Sequence, residues 1–132
     1  MLKVSKSHED YLEAIVMLGG SPDCPTRSVD VANKLEVSKA SVNKAVGVLS
    51  QAGLLEHPHY GDITLTEDGY TYGKKVLNRH NTIMSFFVHG LGINPEIAEE
   101  EACCIEHVLS DETFERWEKY INEHLSTEKH LR

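Results

Sequence analysis

The sequence predicts a mostly α-helical chain in two parts. The first is an N-terminal winged helix-turn-helix over residues 1–72, the second a helical dimerisation and metal-binding domain over residues 73–132. Three observations carry this prediction. Two amphipathic segments joined by a tight turn are followed by two short alternating runs, the order of a helix-turn-helix with a hairpin wing. The stretch Glu99 to Val108 groups a carboxylate, a thiol, a second carboxylate and an imidazole at helical spacing. Charge is also divided. Residues 1–80 hold 9 Lys/Arg and 10 Asp/Glu, residues 81–132 hold 4 and 11, and the net charge is −8. A nearly neutral half and a strongly acidic half fit a DNA-facing part and a cation-facing part.

The first helix is expected to start at Ser7, where Ser7-x-x-Asp10 reads as a capping box. Tyr11, Leu12, Ile15, Val16 and Leu18 form its apolar face and Gly19-Gly20 ends it. Ser21 to Pro25 is a loop. A short helix follows with Val29, Val31, Ala32 and Leu35 apolar, and Glu36-Val37 turns the chain. Ser38 is a natural N-cap for a helix from about Lys39 to Ala52. Val42, Ala45, Val46 and Leu49 make the buried face of that helix, and Lys39, Ser41, Asn43 and Lys44 crowd its exposed first turns. Gly53 provides the C-cap. Leu54 to His57 and Ile63 to Leu65 read as two strands, with a turn over Pro58 to Asp62.

Thr66 caps the next helix, which runs past Gly69 to about His89. Val76, His80, Ile83 and Phe87 recur at i, i+4, i+7 and i+11, so His80 lies in an apolar stripe. Gly90 to Ile93 is a connector, after which Asn94 caps and Pro95 opens the metal-type helix. There Glu99, Cys103, Glu106 and His107 share one face, with Ile97, Cys104, Ile105 and Val108 as the apolar stripe. Burying such a polar group costs desolvation unless a cation or a hydrogen-bond network compensates. The blander reading is a solvated acidic face with a structural histidine. Ser110 caps the last helix, whose apolar side is Phe114, Trp117, Tyr120 and Ile121. The second part has little core of its own, and a twofold dimer would cover its leftover apolar faces. A dimer also presents two recognition helices to DNA half-sites about one turn apart.

Composition bounds the remaining options. No apolar run approaches the ~20 residues of a membrane span, and the N-terminus lacks a signal-peptide core, so a cytoplasmic protein without membrane partners is expected. Cys24, Cys103 and Cys104 are an odd number with two adjacent, which argues for reduced thiols. There is no HExxH, phosphate loop or nucleophile elbow, and the chain is not read as an enzyme.

The segments Glu9-Asp10-Tyr11-Leu12-Glu13, Val37-Ser38 to Gly53-Leu54, Leu65-Thr66-Glu67-Asp68-Gly69, Arg79-His80 and Cys103-Cys104-Ile105-Glu106-His107-Val108-Leu109-Ser110 resemble the diphtheria-toxin-repressor family of metal-dependent regulators. They are most similar to its short manganese-transport-regulator branch, without the SH3-like domain of longer members. The resemblance implies metal ligands at Asp10, Glu13, His80, Glu99, Cys103, Glu106 and His107. Asp10 and Glu13 match the manganese branch, His80, Glu106 and His107 match both branches, and Cys103 matches the iron branch. Glu99 falls where the iron branch has a histidine of a second site. Carboxylates favour Mn²⁺ or Fe²⁺, whereas the thiol favours Fe²⁺, Co²⁺ or Zn²⁺. The resemblance further implies that Ser38, Lys39, Ala40, Ser41, Asn43 and Lys44 face double-stranded operator DNA, with Tyr60 of the wing near its backbone. The implied function is repression of metal-homeostasis genes by a homodimer with divalent cation as corepressor. The rival reading is a metal-independent winged-helix regulator switched by a small molecule or by oxidation at Cys103/Cys104.

Overall fold

The computed structural model describes residues 3–59 and 61–125. In chain order the elements are α1 (Lys6–Met17), β1 (Thr26–Arg27), α2 (Ser28–Leu35), α3 (Lys39–Gln51), β2 (Leu55–His59), β3 (Asp62–Leu65) and α4 (Glu67–Ser85). A π-helical turn (Phe86–Gly90), α5 (Pro95–Ile105) and α6 (Asp111–Leu125) follow. The chain divides into two compact units, one up to Leu77 and the other from Asn78 on. No helix among the described residues is long and apolar enough to cross a membrane.

In the first unit the three helices and the sheet enclose one core, with Leu12, Ile15, Val31, Val42, Leu49, Ile63 and Leu65 all but fully buried. The buried face of α3 is Val42, Ala45, Val46 and Leu49, the i, i+3, i+4, i+7 set that its periodicity predicts. Ser38 caps α3 by accepting from the Ser41 N–H at 3.0 Å. Val29 of α2 stays largely exposed, and Glu36 ends that helix in the left-handed region at φ 55°.

Helix α1 is capped two residues earlier than its Ser7-x-x-Asp10 pattern suggests. Ser5 is the N-cap, and its hydroxyl accepts the His8 N–H at 3.2 Å. The carboxylate that secures this end is Glu9, buried and accepting the Tyr72 hydroxyl proton at 2.5 Å. Tyr72 in turn accepts the Val4 N–H at 3.1 Å. A buried acid with a partner inside the same unit is a structural group.

The wing has three strands in the order β1-β3-β2, all antiparallel. β1 is an addition to the expected hairpin. Thr26 pairs with Ile63 and Arg27 with Asp62, directly after the expected loop Ser21 to Pro25. β2 runs on through Pro58 to His59, beyond the expected end at His57, and its pairing with β3 is irregular between Glu56 and His59. Pro58 brings no N–H to the ladder, which accounts for the break in register. Thr66 caps α4 as expected, accepting the Gly69 N–H at 3.0 Å. Gly69 passes so close to the end of α3's following turn that a Cβ there would lie 1.9 Å from the Leu54 carbonyl oxygen.

The second unit packs around Ile83, Phe87, Ala98, Ala102 and Phe114. The α4 stripe Val76, His80, Ile83 and Phe87 is buried throughout. The helix then widens into the π turn, with the Leu91 N–H reaching the Phe86 carbonyl at 3.1 Å, where Phe86 meets Trp117 edge-on at 5.4 Å. Asn94 caps α5 with Pro95 at its first position, and Ser110 caps α6 by accepting the Thr113 N–H at 3.1 Å.

Two apolar stripes differ from expectation. On α5 the buried residues are Ala98 and Ala102, while Ile97 is 53% exposed and Cys104 is exposed, and Val108, in the turn beyond the helix, is 76% exposed. The small side chains pack against Ile83, Phe87 and Phe114, and the next position on that stripe, four residues on, is Glu106. On α6 Phe114 and Ile121 are buried, whereas Tyr120 is exposed and stacks on His124 at 3.9 Å.

Candidate metal centre

The second unit brings four of the predicted ligands together in a chain of contacts, Glu99–His80–Glu106–His107. His80 is placed by the buried stripe of α4. Its Nδ1 lies 2.7 Å from Glu106 Oε1 and its Nε2 lies 2.9 Å from Glu99 Oε2. His107 Nε2 lies 3.9 Å from the other Glu106 oxygen. Glu99 sits on α5, but that helix ends at Ile105, so Glu106 is its C-cap and His107 belongs to the turn beyond. Glu106 keeps helical dihedrals, φ −57° and ψ −28°, and so continues the Ala98–Ala102 stripe into the core. Cys103 is half-buried on α5, and its sulfur is not in a disulfide.

These side chains fit a divalent cation. Glu106 is 1% exposed, and its Oε2 has no hydrogen-bond partner among the described residues. A buried anionic oxygen without a donor is costly, and positive charge is what compensates it. Both ring nitrogens of His80 face carboxylate oxygens, yet a neutral imidazole carries one N–H. One of the two nitrogens therefore presents a lone pair to an acceptor unless a proton or a metal ion stands between them. Imidazole, carboxylate and thiol together are donors for first-row transition ions.

Asp10 and Glu13 belong to the first unit. They lie on α1, with Asp10 half-buried and Glu13 buried. Tyr11 between them is buried as well, which raises its phenol above the usual range and keeps it neutral. On α3 the side chains of Lys39, Ala40, Ser41, Asn43 and Lys44, together with the capping Ser38, form an exposed polar and basic face opposite the core stripe. Tyr60 lies outside the described residues.

Sequence reasoning gave no role to Arg79, although it marked Arg79-His80 as a motif. The guanidinium is buried and donates to the carbonyl oxygens of Glu106 and Leu109 at 3.0 and 2.7 Å, and to the Asp111 carboxylate. A signal was present, since an arginine one residue from a buried histidine must find acceptors inside the core. Which acceptors could not be read, because they lie 27 to 32 residues away.

Comparison with known proteins bears on both units. A model of the iron dependent repressor N-terminal DNA binding domain matches residues 3–63, and one of the iron dependent repressor metal binding and dimerisation domain matches residues 66–130. The chain is 39% identical over 113 residues to an uncharacterised HTH-type transcriptional regulator of Methanocaldococcus jannaschii, covering 86% of this chain and 90% of the relative. It is 32% identical over 116 residues to the transcriptional regulator MntR of Escherichia coli, covering 88% and 74%. Among solved structures it resembles a manganese-dependent transcriptional repressor in complex with manganese (TM-score 0.75, 25% identity, 87% of this chain and 52% of that one). It also resembles T. acidophilum IdeR (TM-score 0.66, 27% identity, 88% and 53%). The chain thus spans about half the length of these solved relatives.

Proposed function

The chain belongs to the iron-dependent repressor family, and from that premise we propose that it is a cytoplasmic, metal-dependent transcriptional repressor of manganese or iron homeostasis genes. It binds double-stranded operator DNA as a homodimer, with a divalent cation as corepressor. The observation that carries this reading is the buried Glu106 carboxylate, held against His80 with one oxygen lacking a donor among the described residues.

The metal ligands proposed are His80, Glu99, Cys103, Glu106 and His107 in the second unit and, on the resemblance to the manganese branch, Asp10 and Glu13 in the first. When bound, the ion supplies the positive charge that lets several carboxylates share one site. The side chains do the rest. Glu106 and His80 hold their donor atoms in place through burial, and Glu99 closes the solvent side. A corepressor cation binds the DNA-competent state better than the other, so cation affinity and DNA affinity are linked quantities. A hundredfold effect on DNA binding requires about 2.7 kcal/mol of that linkage. On α3, Lys39 and Lys44 contact phosphates, which position the protein, and Asn43 reads a base edge. The MntR relatives and the carboxylates support Mn²⁺, while Cys103 supports Fe²⁺, with Co²⁺ or Zn²⁺ binding in vitro.

The test is binding to the DNA upstream of the protein's own gene by fluorescence anisotropy. It is run with chelator and then with Mn²⁺, anaerobic Fe²⁺, Co²⁺ and Zn²⁺ at matched free concentration. Tight binding that requires metal and is lost in Glu106→Ala and His107→Ala is the expected result. Equal binding with and without chelator sinks the corepressor mechanism and leaves a winged helix switched at Cys103/Cys104, which a peroxide titration would then detect.

A further inference from the structure

We propose that Arg79 is a positioning residue for the metal centre, a clamp that fixes the Glu106–His107 turn relative to His80. The inference rests on the metal-dependent reading above and concerns a residue that is itself no ligand. Helix α5 ends at Ile105 and α6 begins at Asp111, so residues 106–110 make a sharp connection. The last carbonyls of a helix have no partner within it. Two carbonyls at this connection, those of Glu106 and Leu109, are taken by one nitrogen of Arg79, Nη1, at 3.0 and 2.7 Å. The second nitrogen, Nη2, bonds the Asp111 carboxylate in the first turn of α6. The guanidinium carbon lies 5.2 Å from the centroid of the Phe114 ring, one turn further along α6. The planar fork therefore ties the end of one helix, the turn and the start of the next to a single rigid group on α4.

The position of that group in the chain gives the clamp its consequence. Arg79 and His80 are consecutive on α4. The same stretch of backbone that presents the imidazole to Glu106 Oε1 also grips the Glu106 carbonyl. Glu106 is thus held at both ends, by its side chain through His80 and by its backbone through Arg79, and His107 follows it directly. A lysine keeps the charge but offers a point donor on a flexible stem, which cannot serve two carbonyls and a carboxylate in one plane. Residues that orient metal ligands without touching the ion typically alter affinity 10- to 100-fold.

The experiment compares full-length wild type, Arg79→Met and Arg79→Lys. Mn²⁺ and Co²⁺ affinities are measured by direct titration, the ligand-field absorption spectrum of the Co²⁺ form is recorded, and the metal-free fold is followed by circular dichroism. Both variants are expected to bind roughly 10- to 100-fold more weakly, with a shifted Co²⁺ spectrum and an unchanged metal-free helix content. If Arg79→Met fails to fold, Arg79→Lys, which keeps the buried charge, decides alone. Wild-type affinity and spectrum in Arg79→Lys overturn the clamp while leaving the metal reading intact. A wild-type protein that binds neither ion sinks the metal reading first, and the clamp with it.

Discussion

Replacing Glu106 with Gln separates the two tasks of its carboxylate. The side chain is buried, one oxygen lies 2.7 Å from His80 Nδ1, and the other lacks a donor among the described residues. Gln keeps the shape and an oxygen that can accept from His80, so in chelator the variant trades one hydrogen bond for another. The net worth of such a bond, about 0.5–1.5 kcal/mol, bounds the change in either direction. With Mn²⁺ at a hundred times the wild-type Kd, the wild type gains about 2.7 kcal/mol. The amide has no charge to offer the ion, and its affinity should fall by at least ~100-fold, the upper end of what supporting residues cost. The gain left to the variant is then about 0.4 kcal/mol or less. At ~4 °C per kcal/mol for a chain of this size, the wild type shifts upward by ~11 °C on adding metal and the variant by less than ~2 °C. Differential scanning fluorimetry in chelator and in Mn²⁺ reads both numbers. A wild-type metal shift in Glu106→Gln would refute the assignment of this carboxylate as a ligand.

Other consequences are open to test. Lys39→Ala and Lys44→Ala should each weaken DNA binding uniformly across sequences and lower the slope of log K against log salt by about 1, measured by anisotropy from low to moderate salt. Asn43→Ala should instead reduce discrimination between operator and mismatched DNA, by about 1–3 kcal/mol at a single base pair. Gly69→Ala drives a methyl group to 1.9 Å from the Leu54 carbonyl and should cost about 1–3 kcal/mol in urea unfolding. Gly47→Ala, on the exposed side of α3 with nothing within 4 Å of the new Cβ, should stabilise by about 0.4–1 kcal/mol in the same assay.

Much of this architecture is legible in the residues, and the exceptions share a cause. Caps at Ser38, Thr66, Asn94 and Ser110 and the stripe Val42–Ala45–Val46–Leu49 are local signals, and local signals survive folding. β1 escapes notice because two residues have no periodicity, and they become a strand only by pairing with Ile63 and Asp62 far along the chain. Ser7 looks as good a cap as Ser5 until the Glu9–Tyr72 bond, formed across 63 residues, fixes where α1 begins. The larger apolar residues Ile97 and Val108 suggested the buried side of this segment, but Ala98 and Ala102 are the residues that pack against Ile83, Phe87 and Phe114. The candidate ligand types of the second part are visible in the spacing of Glu99, Cys103, Glu106 and His107. Their supporting arginine is not, because its partners are backbone carbonyls, which no sequence pattern displays.

The three-stranded wing has a further property that concerns solubility. A sheet of order β1-β3-β2 has two open borders, and an open border invites strands from other molecules. Here one border is only two residues long, and the other is interrupted by Pro58 and a break in register. Neither offers an unbroken row of donors and acceptors on which a second chain could grow. Self-association through the borders of the wing is thereby discouraged by the backbone itself.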